Sequence, residues 1–157
     1  LMVGSGSNTF SGTIRGNGMS QAIYYAKNIK SAGAGANTVT VTFNAATQYV
    51  DLRALEYSGL DLANPFDVGT SASGTGNSAN SGAVTTSAAH ELIFAAGTTA
   101  GVFSAAGSGF TTRIITSPDA DIAQDRFVTA TGSYSATASL DGSAAWVMQV
   151  ATFRAAN

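Results

Sequence analysis

An Asp-Gly pair, Asp141-Gly142, separates two strand-like runs near the end of this chain: GSYSATASL before it and SAAWVMQVATFR after it. Asp-Gly is a strong hairpin signal because both turn positions tolerate positive φ, so we predict a hairpin over Gly132–Arg154. In the second run alternate residues are apolar on both faces: Trp146, Met148 and Val150 on one, and Val147, Ala151 and Phe153 on the other. A strand of this kind belongs in the middle of a packed sheet. We therefore predict that Trp146 is a core residue.

Composition excludes several classes of protein. Only 10% of the 157 residues are charged and the formal net charge is −2, so the chain lacks the basic surface of a nucleic-acid-binding protein. No apolar run approaches the ~20 residues that span a bilayer, and we expect no membrane insertion. Hydrophobic residues make up 45% of the chain, which argues against disorder, and the absence of cysteine excludes a disulfide framework.

Because the chain has few charged residues, its solubility comes mainly from hydroxyl and amide groups. This composition is typical of secreted surface proteins. Leu1-Met2-Val3 is not a cationic, apolar leader, so any signal peptide has been removed or lies outside this sequence. We expect an extracellular or cell-surface location.

The rest of the chain is predicted to form further short strands. Gly16-Asn17-Gly18 indicates a second hairpin, between Thr9–Arg15 and Met19–Ile29. Alternation over Thr38–Phe43 predicts a half-buried strand with Val39, Val41 and Phe43 inward. Further strands are predicted over Gln48–Tyr57 (with a bulge at Ala54-Leu55), Ala83–Ser87, Glu91–Thr98, Phe110–Thr116 and Ile122–Thr131.

These strands define the predicted fold. Two intervening stretches, Leu60–Val68 and the polar run Gly69–Gly82, are predicted to be surface loops. About ten short strands with regular turn signals and no helical periodicity predict an all-β protein. We expect residues 1–157 to form one antiparallel β-sandwich with jelly-roll or other Greek-key connections, since several loops are long.

The sequence offers no catalytic signature. A zinc site or a Ser-His-acid triad would have to use the single histidine, His90, which we interpret as an exposed residue at the start of a strand. Sugar-cleaving enzymes need paired carboxylates, but neither of the two glutamates, Glu56 and Glu91, has an acid two residues away. We interpret Glu56 as part of a small ion-pair group with Asp51 and Arg53. No enzyme activity is expected.

One acidic loop is a candidate metal site. Asp119 and Asp121 have the D-x-D spacing that can give calcium two oxygen ligands, and Asp125 follows closely. The alternative, which we favour, is that Asp119 and Asp121 cap the turn while Asp125 pairs with Arg126 or Arg113. No cofactor other than calcium is considered.

Two further side-chain types are candidates for a functional role. Exposed tyrosines can stack on sugar rings, and the candidates for such a platform are Tyr24, Tyr25 and Tyr49. Lys27, placed mid-strand between apolar neighbours, is a candidate for an amide crosslink to an Asn or Asp side chain. A lysine that extends its ammonium to solvent is the favoured interpretation.

Three segments together resemble a known type of module: YYAKNI at Tyr24–Ile29, LEYSGLDLANPFDV at Leu55–Val68, and SPDADIAQDR with GSYSATASLDGSAAWVMQ within Ser117–Gln149. On these segments the chain is similar to a Gly/Ala/Ser/Thr-rich β-sandwich module of large secreted, often tandem-repeat proteins from environmental bacteria. The resemblance implies an extracellular sandwich and supplies no catalytic residues.

Such modules carry further strand-forming sequence before the position of Leu1, and Leu1–Val3 looks like the end of a strand. We therefore expect a sheet that can lack an N-terminal strand, with another copy supplying it by strand addition. The expected function is a non-catalytic structural or adhesive building block that assembles with copies of itself into a filament or array. The alternative is a carbohydrate-binding module that recognises a surface polysaccharide.

Overall fold

The computed structural model describes residues 12–16 and 18–156. Within these residues the protein is all-β, with no helix and every strand pair antiparallel. The all-β prediction is confirmed. The predictions for Leu1–Val3 and for the first residues of Thr9–Arg15 lie outside the described range. The strands are β1 (Gly12–Gly16), β2 (Met19–Ile23), β3 (Phe66–Thr85), β4 (Glu91–Thr99), β5 (Phe103–Ala106), β6 (Thr111–Ile115), β7 (Ile122–Val128) and β8 (Ser133–Arg154).

The strands form one hairpin and one larger sheet. β1 and β2 pair with each other, and the other six strands form a sheet in the order β3-β8-β4-β7-β6, with β5 also paired to β8. Gly16 pairs with Met19 and Gly18 has a φ of 80°, so the hairpin predicted there is confirmed. β2 ends at Ile23, however, and does not continue to Ile29.

Although β4 is the middle strand in the order, β8 is an interior strand of the sheet, as its C-terminal run predicts. It lies between β3 and β4, and Trp146 belongs to the larger apolar core with only 9% of its surface exposed. The predicted hairpin at Asp141-Gly142 is wrong, because β8 runs through these residues without reversing.

The Asp-Gly pair instead forms a local irregularity in a continuous strand. Gly76 of β3 pairs with Ala144 and Ser78 pairs with Ser139, so the residues between Ser139 and Ala144 bulge out opposite a single β3 residue. The N–H of Asp141 donates to the carbonyl of Val102 at 3.0 Å. At this point β8 changes neighbour, from β5 before the bulge to β4 after it. Partners on both sides of the bulge hold the strand extended, which overrides the local turn preference.

The polar run Gly69–Gly82 is also not the loop that we predicted. It forms most of β3, whose backbone pairs with β8. A Cβ on Gly74 would lie 2.6 Å from Cζ2 of Trp146, so the missing side chain leaves the space that the indole fills. Local composition indicates a loop here, whereas pairing with β8 decides the outcome.

Two other predicted strands are wrong. Residues 24–65 form no strand apart from an isolated bridge between Leu60 and Ala155, so neither Thr38–Phe43 nor Gln48–Tyr57 is in a sheet. Val41 and Phe43, predicted to point inward, are each 49% exposed. Alternation determines which side chains share a face, but a strand forms only where a neighbouring backbone accepts its hydrogen bonds.

Two apolar clusters lie on the two faces of β4. Ile93 and Ala95 belong to the larger one, which also contains residues of β3, β5, β7 and β8. Leu92 and Ala96 point the other way, into a smaller cluster with Ile23. This smaller cluster is covered by β2 and by residues 24–65, the strand-free segment. The cluster forms the floor of a cavity.

Candidate functional site

A cavity of about 330 Å³ lies between the sheet and the strand-free segment. Leu92 and Phe94 of β4 and Phe153 of β8 supply its sheet side, while residues 23–29 and 55–65 supply the rest of its lining. This volume is at the lower end of the range of about 300 to 1,000 Å³ that is typical of small-molecule sites. The cavity was not foreseen from the sequence, because its walls come from segments predicted to be strands in the sheet.

Aromatic rings form much of the cavity wall and pack on one another. The ring of Tyr25 stacks on Phe66 with centroids 6.0 Å apart and meets Phe153 edge-on at 5.5 Å. Tyr57 meets Phe94 edge-on at 6.4 Å. Such edge-on and offset pairs add to the energy of area burial, so these rings hold each other in place.

A buried carboxylate fixes the position of Tyr57. The Tyr57 hydroxyl donates to Oδ2 of Asp125 at 2.6 Å, and Arg113 donates to the same carboxylate from Nε at 2.6 Å and Nη2 at 2.8 Å. Burial, together with the hydrogen bond to Asp125, raises the pKa of the Tyr57 hydroxyl well above its ordinary value. The hydroxyl is therefore a permanent donor, and the predicted pairing of Asp125 with Arg113 is confirmed.

Three charged side chains line the cavity mouth: Lys27, Glu56 and Asp61. The Lys27 ammonium donates to the carbonyl of Ala63. Asp61 accepts from the backbone N–H groups of Ala63 at 2.8 Å and Asn64 at 2.9 Å, and these bonds lower the pKa of its carboxyl. Glu56 is exposed and has no hydrogen bond or ion pair with any part of the chain that the structure describes. Among the described residues at the mouth, the charge without a hydrogen-bond partner is therefore the negative one of Glu56.

The sequence places Lys27 in the middle of a predicted strand, but in the structure this residue lies outside any strand. It follows the end of β2 and is half-buried at the cavity mouth. Its nitrogen donates to the backbone carbonyl of Ala63, and within the described residues it forms no hydrogen bond or ion pair with an Asn or Asp side chain, although the carboxylate of Asp61 is near enough to feel its charge.

Arg53 anchors the strand-free segment to the sheet. Its Nη1 donates to the carbonyls of Gly97 at 3.0 Å and Ile122 at 2.8 Å, and Nη2 lies 3.7 Å from Oδ2 of Asp121. Burial lowers the pKa of Arg53 and raises that of Asp121. Of the predicted ion-pair group, Asp51 interacts electrostatically with Arg53 and Glu56 takes no part, while the ion-pair partner of Arg53 is Asp121. Exposure alternates along residues 51–58, and Glu56 is one of the exposed residues.

The structure does not bring the three calcium candidates together. Oδ1 of Asp121 accepts from the N–H of Thr99 at 3.0 Å, while Asp125 is bound by Tyr57 and Arg113. In the described ranges no three His, Cys, Asp or Glu side chains are grouped closely enough to hold a metal ion.

The turn before β7 is held by Thr116. Its Oγ1 accepts from the N–H of Asp121 at 3.0 Å and donates to Asp51 at 2.6 Å, and its carbonyl accepts from the N–H of Ala120. Asp121 points to Thr99 instead, so the predicted capping role of this aspartate is wrong. The half-buried Asp119 lies in the same turn.

The remaining candidates fall in different surroundings. Tyr49 is 86% exposed and Tyr24 is 40% exposed, whereas Tyr25 is packed against Phe66 and Phe153. The tyrosine platform proposed from the sequence is therefore reduced to Tyr24 and Tyr49. His90 is exposed immediately before β4, with a φ of 58°, and its predicted position is confirmed.

A carboxylate pair that we did not foresee joins three parts of the chain. Asp67 forms an ion pair with Arg154 and accepts from the N–H of Ser87 at 2.6 Å. Oε1 of the buried Glu91 accepts from the N–H of Ala88 at 3.1 Å. Burial raises the pKa of Glu91, and the neighbouring Asp67 acts in the same direction. The one available signal was a glutamate at the start of an otherwise apolar strand, since a buried acid is rare unless it is paired.

Comparison with known proteins identifies no relative. No protein-family model, no curated protein and no solved structure matches the chain. The described part of the chain also contains no helix that is long and apolar enough to cross a membrane.

Proposed function

We propose that this chain is a non-catalytic, extracellular structural or adhesive β-domain that joins copies of itself by strand addition at the edge of its sheet. The supporting observation is the nature of β3. It is the end strand of the six-stranded sheet, and no strand within the described residues pairs with its outer edge. From Val68 to Thr85 it contains no charged residue and no proline.

A strand of this kind is a template for pairing. Proteins usually protect sheet edges with short strands, lysines, prolines or bulges. β3 is 20 residues long, against about 3 to 10 in most strands, and it lacks charges and prolines over most of its length. Its register with β8 is unbroken from Gly69 to Gly76, so this part of the edge is free of bulges. An incoming strand would add one ladder of main-chain hydrogen bonds.

We also propose that the sheet belongs to a β-sandwich with jelly-roll or Greek-key connections, as expected from the sequence and from its resemblance to modules of secreted proteins. Apolar clusters on both faces of β4 support two packed layers. The change of partner along β8, from β5 to β4, supports a strand that passes from one layer to the other.

The experiment compares two double variants with the wild-type chain. Ser71→Lys with Thr75→Lys places two charges at exposed positions of β3, where like charges on neighbouring copies would repel. The control, Ser135→Lys with Ser139→Lys, places the same charges at exposed positions of β8, which is not the end strand of the sheet. Light scattering and negative-stain imaging would follow assembly, and circular dichroism would verify folding.

We expect the wild-type chain and the β8 variant to form assemblies that grow with concentration, and the β3 variant to remain monomeric. A wild-type chain that stays monomeric at every concentration would refute the proposal. So would equal assembly of the two variants.

Carbohydrate binding is the second candidate function, and the exposure of Tyr49 and Tyr24 supports it. Tyrosine rings can stack on the apolar face of a sugar. Polysaccharide pull-down should then fail for Tyr49→Ala and Tyr24→Ala but not for Phe127→Ala, which removes another exposed aromatic ring. Equal binding by all three variants would contradict this role.

A further inference from the structure

The cavity beneath the strand-free segment has an apolar interior. Its sheet side consists of Leu92, Phe94 and Phe153, and Ile23 and Tyr25 continue this surface. A sugar ring placed there would lose the hydrogen bonds that its hydroxyls make with water, and aliphatic or phenyl side chains cannot replace them. The interior therefore suits a ligand with an apolar body.

Charge at the mouth selects among apolar ligands. Lys27 contributes one positive charge, while Glu56 and Asp61 contribute two negative charges, which leaves one net negative charge. The Lys27 ammonium and the Asp61 carboxylate are each engaged by the backbone of residues 63–64. The exposed carboxylate of Glu56 remains available, and it borders both this cavity and a second depression lined by Arg113 and Phe127.

From this juxtaposition of aromatic rings and a free carboxylate we propose that the cavity binds an organic cation with an apolar body, of the alkylammonium or arylammonium class. The apolar part occupies the space against Phe94 and Phe153, and the cationic group lies at the mouth beside Glu56. Aromatic rings attract such cations through their negative faces, and Tyr25 and Tyr57 are among the rings that line the cavity. This site is independent of the edge of β3, so it does not rest on the self-assembly proposed above.

The experiment measures binding of three probes of similar size by calorimetry and by NMR shifts. Benzyltrimethylammonium carries the cation, its uncharged tert-butyl analogue carries none, and benzenesulfonate carries an anion. We expect the cation to bind most tightly, the uncharged analogue several-fold more weakly, and the anion least. Equal or tighter binding of the uncharged or anionic probe would overturn the proposal, as would no binding of the cation.

A matched pair of variants tests the role of the carboxylate. Glu56→Gln removes the charge at the mouth and should weaken binding of the cation about fivefold, as expected for a partly exposed charge interaction. Asp141→Asn changes the net charge by the same amount at an exposed position in β8, away from the cavity lining, and should leave binding unchanged. Identical affinities in the two variants would exclude Glu56 as the recognition group and overturn the assignment.

Discussion

Gly74 and Trp146 face each other across the β3–β8 pair, and the indole fills the space that a side chain on Gly74 would need. A Cβ at position 74 would lie 2.6 Å from Cζ2 and 3.1 Å from Cε2 of the ring. The smallest residue of β3 is thereby matched to the largest residue of β8. This match explains why a run of glycine, serine and threonine is a strand in the folded protein.

Gly74→Ala should destabilise the protein by about 1 to 3 kcal/mol, because the indole must shift inside a packed core. Chemical denaturation measures the change in the free energy of unfolding. Gly142→Ala is the control, since nothing lies within 4 Å of a Cβ at that position and its φ is not positive, and it should be nearly neutral. Equal stability of the two variants would show that the ring adapts without cost.

This pair also shows what the sequence could and could not predict. The apolar residues on both faces of the run after Gly142 predicted a central strand, because burial on two faces is a property of the strand itself. The Asp141-Gly142 turn and the loop over Gly69–Gly82 were wrong, because their outcome depends on a partner strand far away in sequence. Turn and composition patterns within a few residues contain no information about a partner strand that is distant in sequence. The site was hidden for the same reason, since its walls include residues 25–29 and 55–57, which belong to the predicted strands Met19–Ile29 and Gln48–Tyr57 but form no strand in the structure.

Arg53→Ala should be strongly destabilising, by about 3 kcal/mol, because it leaves the buried carboxylate of Asp121 without its cation. Two backbone carbonyls, those of Gly97 and Ile122, would also lose their donor. Thermal and chemical unfolding would measure the loss. Adding Asp121→Asn should recover part of it, because the uncompensated charge is then removed.

Lys30→Ala is the control for the Arg53 variant, because it removes a cation from an exposed position and should have no measurable effect. If Arg53→Ala were as stable as Lys30→Ala, the anchor of the strand-free segment would be energetically unimportant. A double variant no more stable than Arg53→Ala alone would show that Asp121 is not the group left uncompensated.

Tyr57→Phe keeps the ring against Phe94 but removes the hydroxyl that donates to Asp125. Hydrogen bonds to charged groups contribute about 1.5 to 3 kcal/mol, so we expect a loss of about 2 kcal/mol in the free energy of unfolding. Tyr49→Phe removes a hydroxyl from a ring that is 86% exposed and should change nothing. If Tyr57→Phe were equally silent, Arg113 alone would satisfy the buried carboxylate.

Glu91 should make stability depend on pH in a defined direction. Burial raises its pKa above the ordinary 4.5, so between that value and its pKa in the folded state the folded protein holds a proton that the unfolded chain has lost. The contribution of Glu91 to stability is therefore fully present below about pH 4.5 and is lost as the pH rises through this window. The pKa of Asp67 is lowered instead, because the hydrogen bonds from Ser87 and the charge of Arg154 outweigh its burial. Its contribution is lost only as the pH falls below the ordinary 3.8.

Glu91→Gln removes the titrating group and keeps its shape, so the stability of this variant relative to the wild-type chain should increase with pH and then level off. Urea unfolding at a series of pH values measures this difference, and the contribution of Asp121, whose pKa is also raised by burial, cancels because both chains contain it. Glu56→Gln is the control, since it makes the same substitution at an exposed position away from Glu91 and Asp67. A parallel curve for Glu91→Gln would show that the buried carboxyl titrates alike in the folded and unfolded states.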